Sequence, residues 1–253
     1  MSDTRPRVAL LVTCLVDLFR PSVGFAAVRL LEDAGCDVEV PAQSCCGQPA
    51  YNSGERHLAM KVARTMLDAL EPFDYVVAPS GSCTGMVTRH YPTLFHGTPD
   101  EERACALARR TFELTRFLVE VRGVATTGSR FDASVTWHDS CSCLREAGTR
   151  QAPRTLLGAV EGTVIKEAGD REVCCGFGGT FAVKYPAIST AMAQDKAARL
   201  EETGADTVLS ADLGCLLNIA GVLRRQGSPM KVRHVAEVLA GETAGPAIGE
   251  PDP

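Results

Sequence analysis

No run of about eighteen apolar residues occurs in the 253-residue chain, so no membrane-spanning helix is expected. Nor is there an excess of positive charge: 26 Lys and Arg stand against 31 Asp and Glu, a net charge of −5. A nucleic-acid binder would show a basic stripe, and that class is set aside. There is no Walker loop, no Gly-x-Gly-x-x-Gly fingerprint and no Ser-His-Asp order, so nothing points to a nucleotide, hydride or triad site. The polar start, residues 1–7, leads directly into Val8-Ala9-Leu10-Leu11-Val12. That run is too short for a secretory core and has no small-residue cleavage pattern behind it, which makes the cytoplasm the expected location. Hydrophobic residues at 45% and charged residues at 23% are ordinary for a globular protein with a buried core.

Cysteine is what the chain has in unusual number. There are eleven, an odd count in a long chain with no export signal. Cytosolic glutathione keeps most thiols reduced, so such a cluster points to metal binding or catalysis rather than to disulfides.

Eight of the eleven form two matching sets. Cys14 aligns with Cys141, Cys45-Cys46-Gly47 with Cys174-Cys175-Gly176, and Cys83 with Cys215, at offsets of 127, 129 and 132 residues. The intervals are 30 and 36 residues in the first half and 32 and 39 in the second. The flanks repeat as well. Short β-branched or aliphatic runs precede the cysteines at 8–12, 38–40 and 75–78, and again at 134–137, 163–165 and 207–209. Helical spacing lies between them, with Leu58, Val62, Met66, Leu67 and Leu70 as one expected buried stripe and Ile188, Met192 and Leu200 as its counterpart. Each half closes on a similar segment, 114–123 (LTRFLVEVRG) and 232–241 (VRHVAEVLAG), and the first carries an insertion near 91–110.

Strands alternating with helices predict an α/β fold of two pseudo-symmetric halves, each a small parallel sheet flanked by helices. Ligands of parallel sheets gather beyond the carboxyl ends of the strands, so the cysteines following those strands are expected to converge there. The expected divisions are residues 1–125, residues 126–241 and a flexible tail over residues 242–253, with Thr126-Thr127-Gly128-Ser129 as the linker.

Four thiolates at one point suit zinc or an iron–sulfur cluster. Structural zinc sites favour Cys-x2-Cys pairs, whereas here the close pairs are directly adjacent and their side chains diverge. A cluster with several irons accommodates such a pair, and a following glycine permits close approach of the main chain. A vicinal disulfide acting as a redox switch is the alternative for the pairs. Cys36 and Cys105 have no counterparts and read as core or surface residues. Cys143, opposite Val16, is a candidate extra ligand or redox thiol. His138, ahead of Cys141, is a candidate for hydrogen bonding to a ligand sulfur. Arg145 and Lys184 are candidate anion-binding charges near the second set.

The motifs resemble the cysteine-rich CCG-domain family, which includes the cysteine-rich component of heterodisulfide reductase, iron–sulfur subunits of glycolate oxidase and anaerobic glycerol-3-phosphate dehydrogenase, and the lactate utilization branch. LLVTCLVDLFRPSVG, QSCCGQPAYNSG, PSGSCTGM, WHDSCSCLREAG, VCCGFGGTFAVKYPAIS and ADLGCLLNI are similar to that last branch. The resemblance implies an oxidoreductase subunit in a three-protein system that oxidises L-lactate to pyruvate, with B- and C-type partners and a quinone-linked acceptor. It also implies one [4Fe–4S] cluster per half, held by Cys14, Cys45, Cys46 and Cys83 and by Cys141, Cys174, Cys175 and Cys215. The chain lacks the ferredoxin segment of the glycolate and glycerol-3-phosphate relatives. Met86 and Asn218 stand where the heterodisulfide reductase component has a fifth cysteine, which counts against a noncubane cluster and disulfide-cleaving catalysis. A thiol or disulfide reductase subunit, and electron transfer for glycolate or another 2-hydroxy acid, are the alternative readings.

Overall fold

A computed structural model describes residues 5–251. The first half runs β1 (Arg7–Leu10), α1 (Cys14–Phe19), α2 (Pro21–Asp33), β2 (Asp37–Glu39), α3 (Gln48–Asn52) and α4 (Arg56–Leu70). It continues through β3 (Tyr75–Ala78), α5 (Gly81–Gly85), a π turn (Met86–His90), α6 (Tyr91–Phe95), α7 (Glu101–Arg109), β4 (Thr111–Glu113) and α8 (Leu114–Arg116), which extends into a second π turn (Phe117–Val121). The second half runs β5 (Arg130–Trp137), a π turn (Cys143–Ala147), α9 (Ala152–Gly158), β6 (Glu161–Ile165), α10 (Thr180–Lys184) and α11 (Pro186–Glu201). It ends with β7 (Thr207–Ser210), α12 (Leu213–Arg225), β8 (Lys231–His234) and α13 (Val235–Leu239). Residues 123–129 between the sheets carry no regular structure.

Both sheets are four-stranded and wholly parallel, ordered β2-β1-β3-β4 and β6-β5-β7-β8. Strand alternation sorts β1 between two layers. Val8 and Leu10 enter a core that also holds Val135, Trp137 and Leu209 from the second half, while Ala9 and the following Leu11 join a first-half core with Ala63, Met66 and Leu67. The expected helical stripes are partly displaced. Leu58 and Ile188 are exposed, and the buried faces use Ala59, Ala63, Met66, Leu67 and Leu70 in α4 and Ser189, Ala193, Lys196, Ala197 and Leu200 in α11. Small residues let these helices lie close to the sheet, so apolar size alone misleads. The fourth strands, β4 and β8, are three and four residues long, too short for a period-two signal.

The halves lock together with near two-fold logic: α2 packs on α13, and α9 packs on α8 and its π extension. Arg20 Nε donates to Glu237 at 2.8 Å, Ser22 Oγ donates to the same oxygen at 2.7 Å, and Arg20 also reaches the Pro246 carbonyl. The segment from residue 242 onward, expected to be a flexible tail, is instead pinned over its described part. Ala247 and Ile248 are buried, Ile248 N donates to Val232 O at 2.8 Å, and Arg224 and Arg233 bond the Gly249 and Gly245 carbonyls. Two apolar anchors suffice to tie down a stretch rich in proline and glycine; residues 252 and 253 lie outside the described residues.

Glu237 is 1% exposed and Arg20 16%. Removing one partner of a buried pair leaves an uncompensated charge, a loss of about 3–5 kcal/mol. Arg20→Ala is therefore expected to cost about that much in urea unfolding. A loss under about 1 kcal/mol would mean that the pair does not tie the halves.

Candidate metal centres

Each cysteine set is assembled from three loops at the carboxyl edge of its sheet. Cys14 opens α1 just after β1, with Thr13 Oγ1 accepting from Val16 N at 3.4 Å. Thr13 holds φ at 74°, the one non-glycine residue at positive φ among the described residues. Such strain costs on the order of 1–3 kcal/mol and persists where surrounding structure enforces it. The equivalent Ser140 Oγ accepts from Cys143 N at 3.1 Å, and Ser80 Oγ accepts from Cys83 N at 3.3 Å. Cys45-Cys46 and Cys174-Cys175 lie in the loops after β2 and β6. Gly47 and Gly176 turn the chain at φ of 86° and 78°, and each amide donates to the sulfur of the first cysteine of its pair at 3.4 Å. Glycine is obligatory at Gly176, where a Cβ would stand 2.6 Å from the Ser189 carbonyl oxygen.

In the first set Cys14 Sγ lies 3.8 Å from Cys45 Sγ, and Cys46 Sγ 3.4 Å from Cys83 Sγ. In the second, Cys175 Sγ lies 2.8 Å from Cys215 Sγ, and Cys141 faces Cys174. All eleven cysteines are free thiols. Within each set the thiols share charge unequally. Hydrogen bonds from Cys14 and Cys46, with those of the Gly47 and Gln48 amides, hold the Cys45 thiol far below its usual range. Bonds from Cys141 and Cys175 and from the Gly176 amide do the same for Cys174. The remaining partners Cys14, Cys46, Cys141 and Cys175 are pushed up, first by bonding to the shared thiolate and then by burial. Four thiolates at one point need a cation to coexist. Soft sulfur donors in this number fit an iron–sulfur cluster, and the N–H···S bonds are the kind that tune one.

The cysteine-pair carbonyls are held from below: Tyr91 Oη donates to Cys46 O at 2.9 Å and Asn218 Nδ2 to Cys175 O at 2.8 Å. The surroundings otherwise differ. A cavity of about 200 Å³ is lined by all four cysteines of the first set, by Thr13, Gln48, Ser80 and Ser82, and by Phe177, Thr180, Val183 and Asp212 from the second half. Beside the second set lies His138, completely buried, with one ring nitrogen and the sulfurs of Cys175 and Cys215 all within 4.8 Å of one another. Burial, reinforced by the Lys196 ammonium, pushes its pKa down to about 3. Cys143 stands apart from the sulfurs. It is buried against α5, where a Cβ on Gly81 would overlap its sulfur and approach its backbone nitrogen to 2.9 Å. Cys36 is buried core and Cys105 is half-buried; Arg145 is exposed, and exposed Lys184 reaches Ser53 Oγ at 3.2 Å.

Two buried acids in the seam between the halves carried no signal in the sequence. Asp212 accepts from Ser82 N at 2.8 Å, from Ser82 Oγ at 3.1 Å and from Ser140 Oγ at 3.4 Å, so it touches a loop of each half. Burial raises it to about 6. Glu113 ends β4 and caps α8 through Thr115 N at 2.9 Å, while its other oxygen has no partner; burial raises it to about 7. Its counterpart His234 ends β8 and caps α13, with Nδ1 accepting from Ala236 N at 3.2 Å. That fixes the tautomer, leaving Nε2–H to donate to Pro79 O at 3.2 Å.

The family model of the CCG cysteine-rich domain matches residues 8–88 and again residues 135–220. Lactate utilization protein A of Oceanobacillus iheyensis is 46% identical over 235 residues, covering 92% of this chain and 96% of that protein. The proteins of that name from Exiguobacterium sp. and Bacillus subtilis are each 48% identical, over 92% of this chain and 97% and 98% of their own lengths.

Glu113 gives the seam a pH signature. Its pKa rises from 4.5 in the unfolded chain to about 7 in the fold, so the folded state binds the extra proton and stability grows as pH falls through that window. His234, lowered from 6.5 to about 4 mainly by burial, acts with the opposite sign over an overlapping range. The stability difference between Glu113→Gln and the parent should therefore shift by about 3 kcal/mol between roughly pH 8 and pH 4.5. Urea unfolding of the metal-free protein measures it, and a difference independent of pH would contradict the assignment. Gly81→Ala should destabilise by about 1–3 kcal/mol or more through overpacking against Cys143, and an unchanged thermal midpoint would show the seam to be pliable.

Proposed function

The chain belongs to the lactate utilization protein A family of paired CCG cysteine-rich domains, and from that premise we propose that it is the iron–sulfur electron-transfer subunit of a complex oxidising L-lactate to pyruvate. In this reading Cys14, Cys45, Cys46 and Cys83 hold one cluster, and Cys141, Cys174, Cys175 and Cys215 the other, each of the [4Fe–4S] type. Bound there, each cluster would take up and release single electrons at a potential set by burial and by hydrogen bonds to sulfur. The observation that supports this most is the facing of Cys46 on Cys83 and of Cys175 on Cys215, sulfurs from loops about forty residues apart, repeated in both halves.

The residues around the sulfurs support a relay rather than a substrate site. Apart from the cysteines, the one ionisable side chain lining the cavity at the first set is Asp212, and no basic group there offers a partner to a 2-hydroxy carboxylate. Lactate would then be oxidised on a partner, of the lactate utilization B or C type, with electrons leaving toward a quinone-linked acceptor in a cytoplasmic assembly. Exposed Leu18, Val40 and Val183 rim the hollows beside Cys14 and Cys45, where such a partner would dock. No helix among the described residues is long and apolar enough to cross a membrane. The cavity itself favours a second reading, a thiol or disulfide reductase that admits a small substrate beside the first sulfurs. Thiol-dependent turnover by the isolated protein would select it.

The protein purified or reconstituted without oxygen should be brown and contain iron and sulfide with a reduced-state EPR signal. Cys46→Ser and Cys175→Ser should each lose about half of the iron. Unchanged iron in both variants, or a colourless protein with stoichiometric zinc, would overturn the ligand sets. Deletion of the gene should abolish growth on lactate; growth lost on glycolate alone would reassign the substrate.

A further inference from the structure

His138 and Leu11 occupy one position in the two repeats. Each lies three residues before the first cysteine of its set. The amide of each donates to the equivalent carbonyl of the adjacent strand at 2.8 Å, Leu11 N to Val77 O and His138 N to Leu209 O. Both side chains are completely buried. Leu11 lies in the apolar cluster that contains Cys46 and Cys83, and His138 stands against their counterparts Cys175 and Cys215. The fold thus accepts a hydrocarbon side chain here, yet the second half places an imidazole.

That imidazole has no protein partner at either ring nitrogen. Its cationic neighbour Lys196 is engaged elsewhere, with Nζ 3.0 Å from the Arg171 carbonyl oxygen and 3.4 Å from that of Asp170. An unsatisfied buried polar group costs about 1–3 kcal/mol, and one kept in a slot that leucine fills calls for a partner among the sulfurs. The separation of no more than 4.8 Å among the nitrogen and the two sulfurs places the imidazole among the donors of a common centre.

We propose that His138 is a nitrogen ligand of the second metal centre in place of one of its four thiolates, making it a mixed sulfur–nitrogen site while the first has sulfur donors only. The inference rests on the reading that the cysteine set of the second half holds a metal centre, and it leaves one of Cys141, Cys174, Cys175 and Cys215 free to take the place of the imidazole when that is removed. A neutral imidazole in place of a thiolate removes one negative charge from the donor set, and such a replacement raises the reduction potential of an iron–sulfur centre. With clusters bound, the two centres would be inequivalent, and the second would be the favoured resting place for an electron.

The test is pulsed EPR on anaerobically reconstituted, reduced protein, using parent, Cys46→Ser, Cys175→Ser and His138→Leu. A nitrogen hyperfine coupling of ligand strength is expected in the parent and in Cys46→Ser, and its absence in Cys175→Ser and His138→Leu. His138→Leu should retain its iron and show a lower midpoint potential for the second centre. Labelling histidine with the heavier nitrogen isotope must change the coupling pattern, a readout that needs no substitution and survives any failure of a variant to fold. Iron in Cys46→Ser with only weak or label-insensitive coupling would overturn the histidine ligand while leaving the second centre standing. Absence of iron from Cys46→Ser, with iron kept by Cys175→Ser, would remove the second centre and the proposal together.

Discussion

Parallel pairing of β1 with β2 on one side and β3 on the other is the constraint on which the arrangement depends, and β5 with β6 and β7 repeats it. Neighbouring strands lie about 4.8 Å apart, so the chain segments leaving their carboxyl ends begin within reach of one another. Cys14, the Cys45-Cys46 pair and Cys83 each sit on one of these exits. No long excursion is needed to bring sulfurs from distant parts of the sequence into contact. The Ser and Thr caps at Thr13, Ser80 and Ser140 then set the orientation of the short helices that carry or adjoin the cysteines.

Much of this geometry is visible in the sequence because repetition filters noise. Three strand candidates per half fall on observed strands, β3 with identical bounds, because aliphatic runs ending just before a cysteine occur twice. The fourth strands escape notice, since three or four residues hold too little pattern. The α4 and α11 faces are misjudged because alanines, not Leu58 or Ile188, meet the sheet. The pinned segment near Ile248 is hidden by its proline- and glycine-rich context. Asp212 and Glu113 give no local signal at all, as their meaning arises only when the two halves meet. His138 can be singled out from its place before Cys141, but the lack of any partner on its ring is a three-dimensional fact.

The repeats keep their scaffold and differ in what surrounds the sulfurs. Leu11 gives way to His138, and Met66 in α4 gives way to the wholly buried Lys196 at the matching place in α11. Met66 Sδ receives the Ser44 amide at 3.3 Å, whereas the Lys196 ammonium reaches the carbonyls of the corresponding loop, so a similar bracing task is done with opposite polarity. The first set opens onto a cavity completed by residues of the other half, while the second sits beside buried ionisable groups. A duplicated frame has therefore produced two electrostatically distinct environments.

The continuous core running from Val8, Leu10 and Val23 to Trp137, Leu209 and Val235 makes the two halves one folding unit. With side chains from both halves joined in one interior, neither half is a separable module. Loss of either half would strip the other of part of its interior, so the two sets of thiols stand or fall with one core.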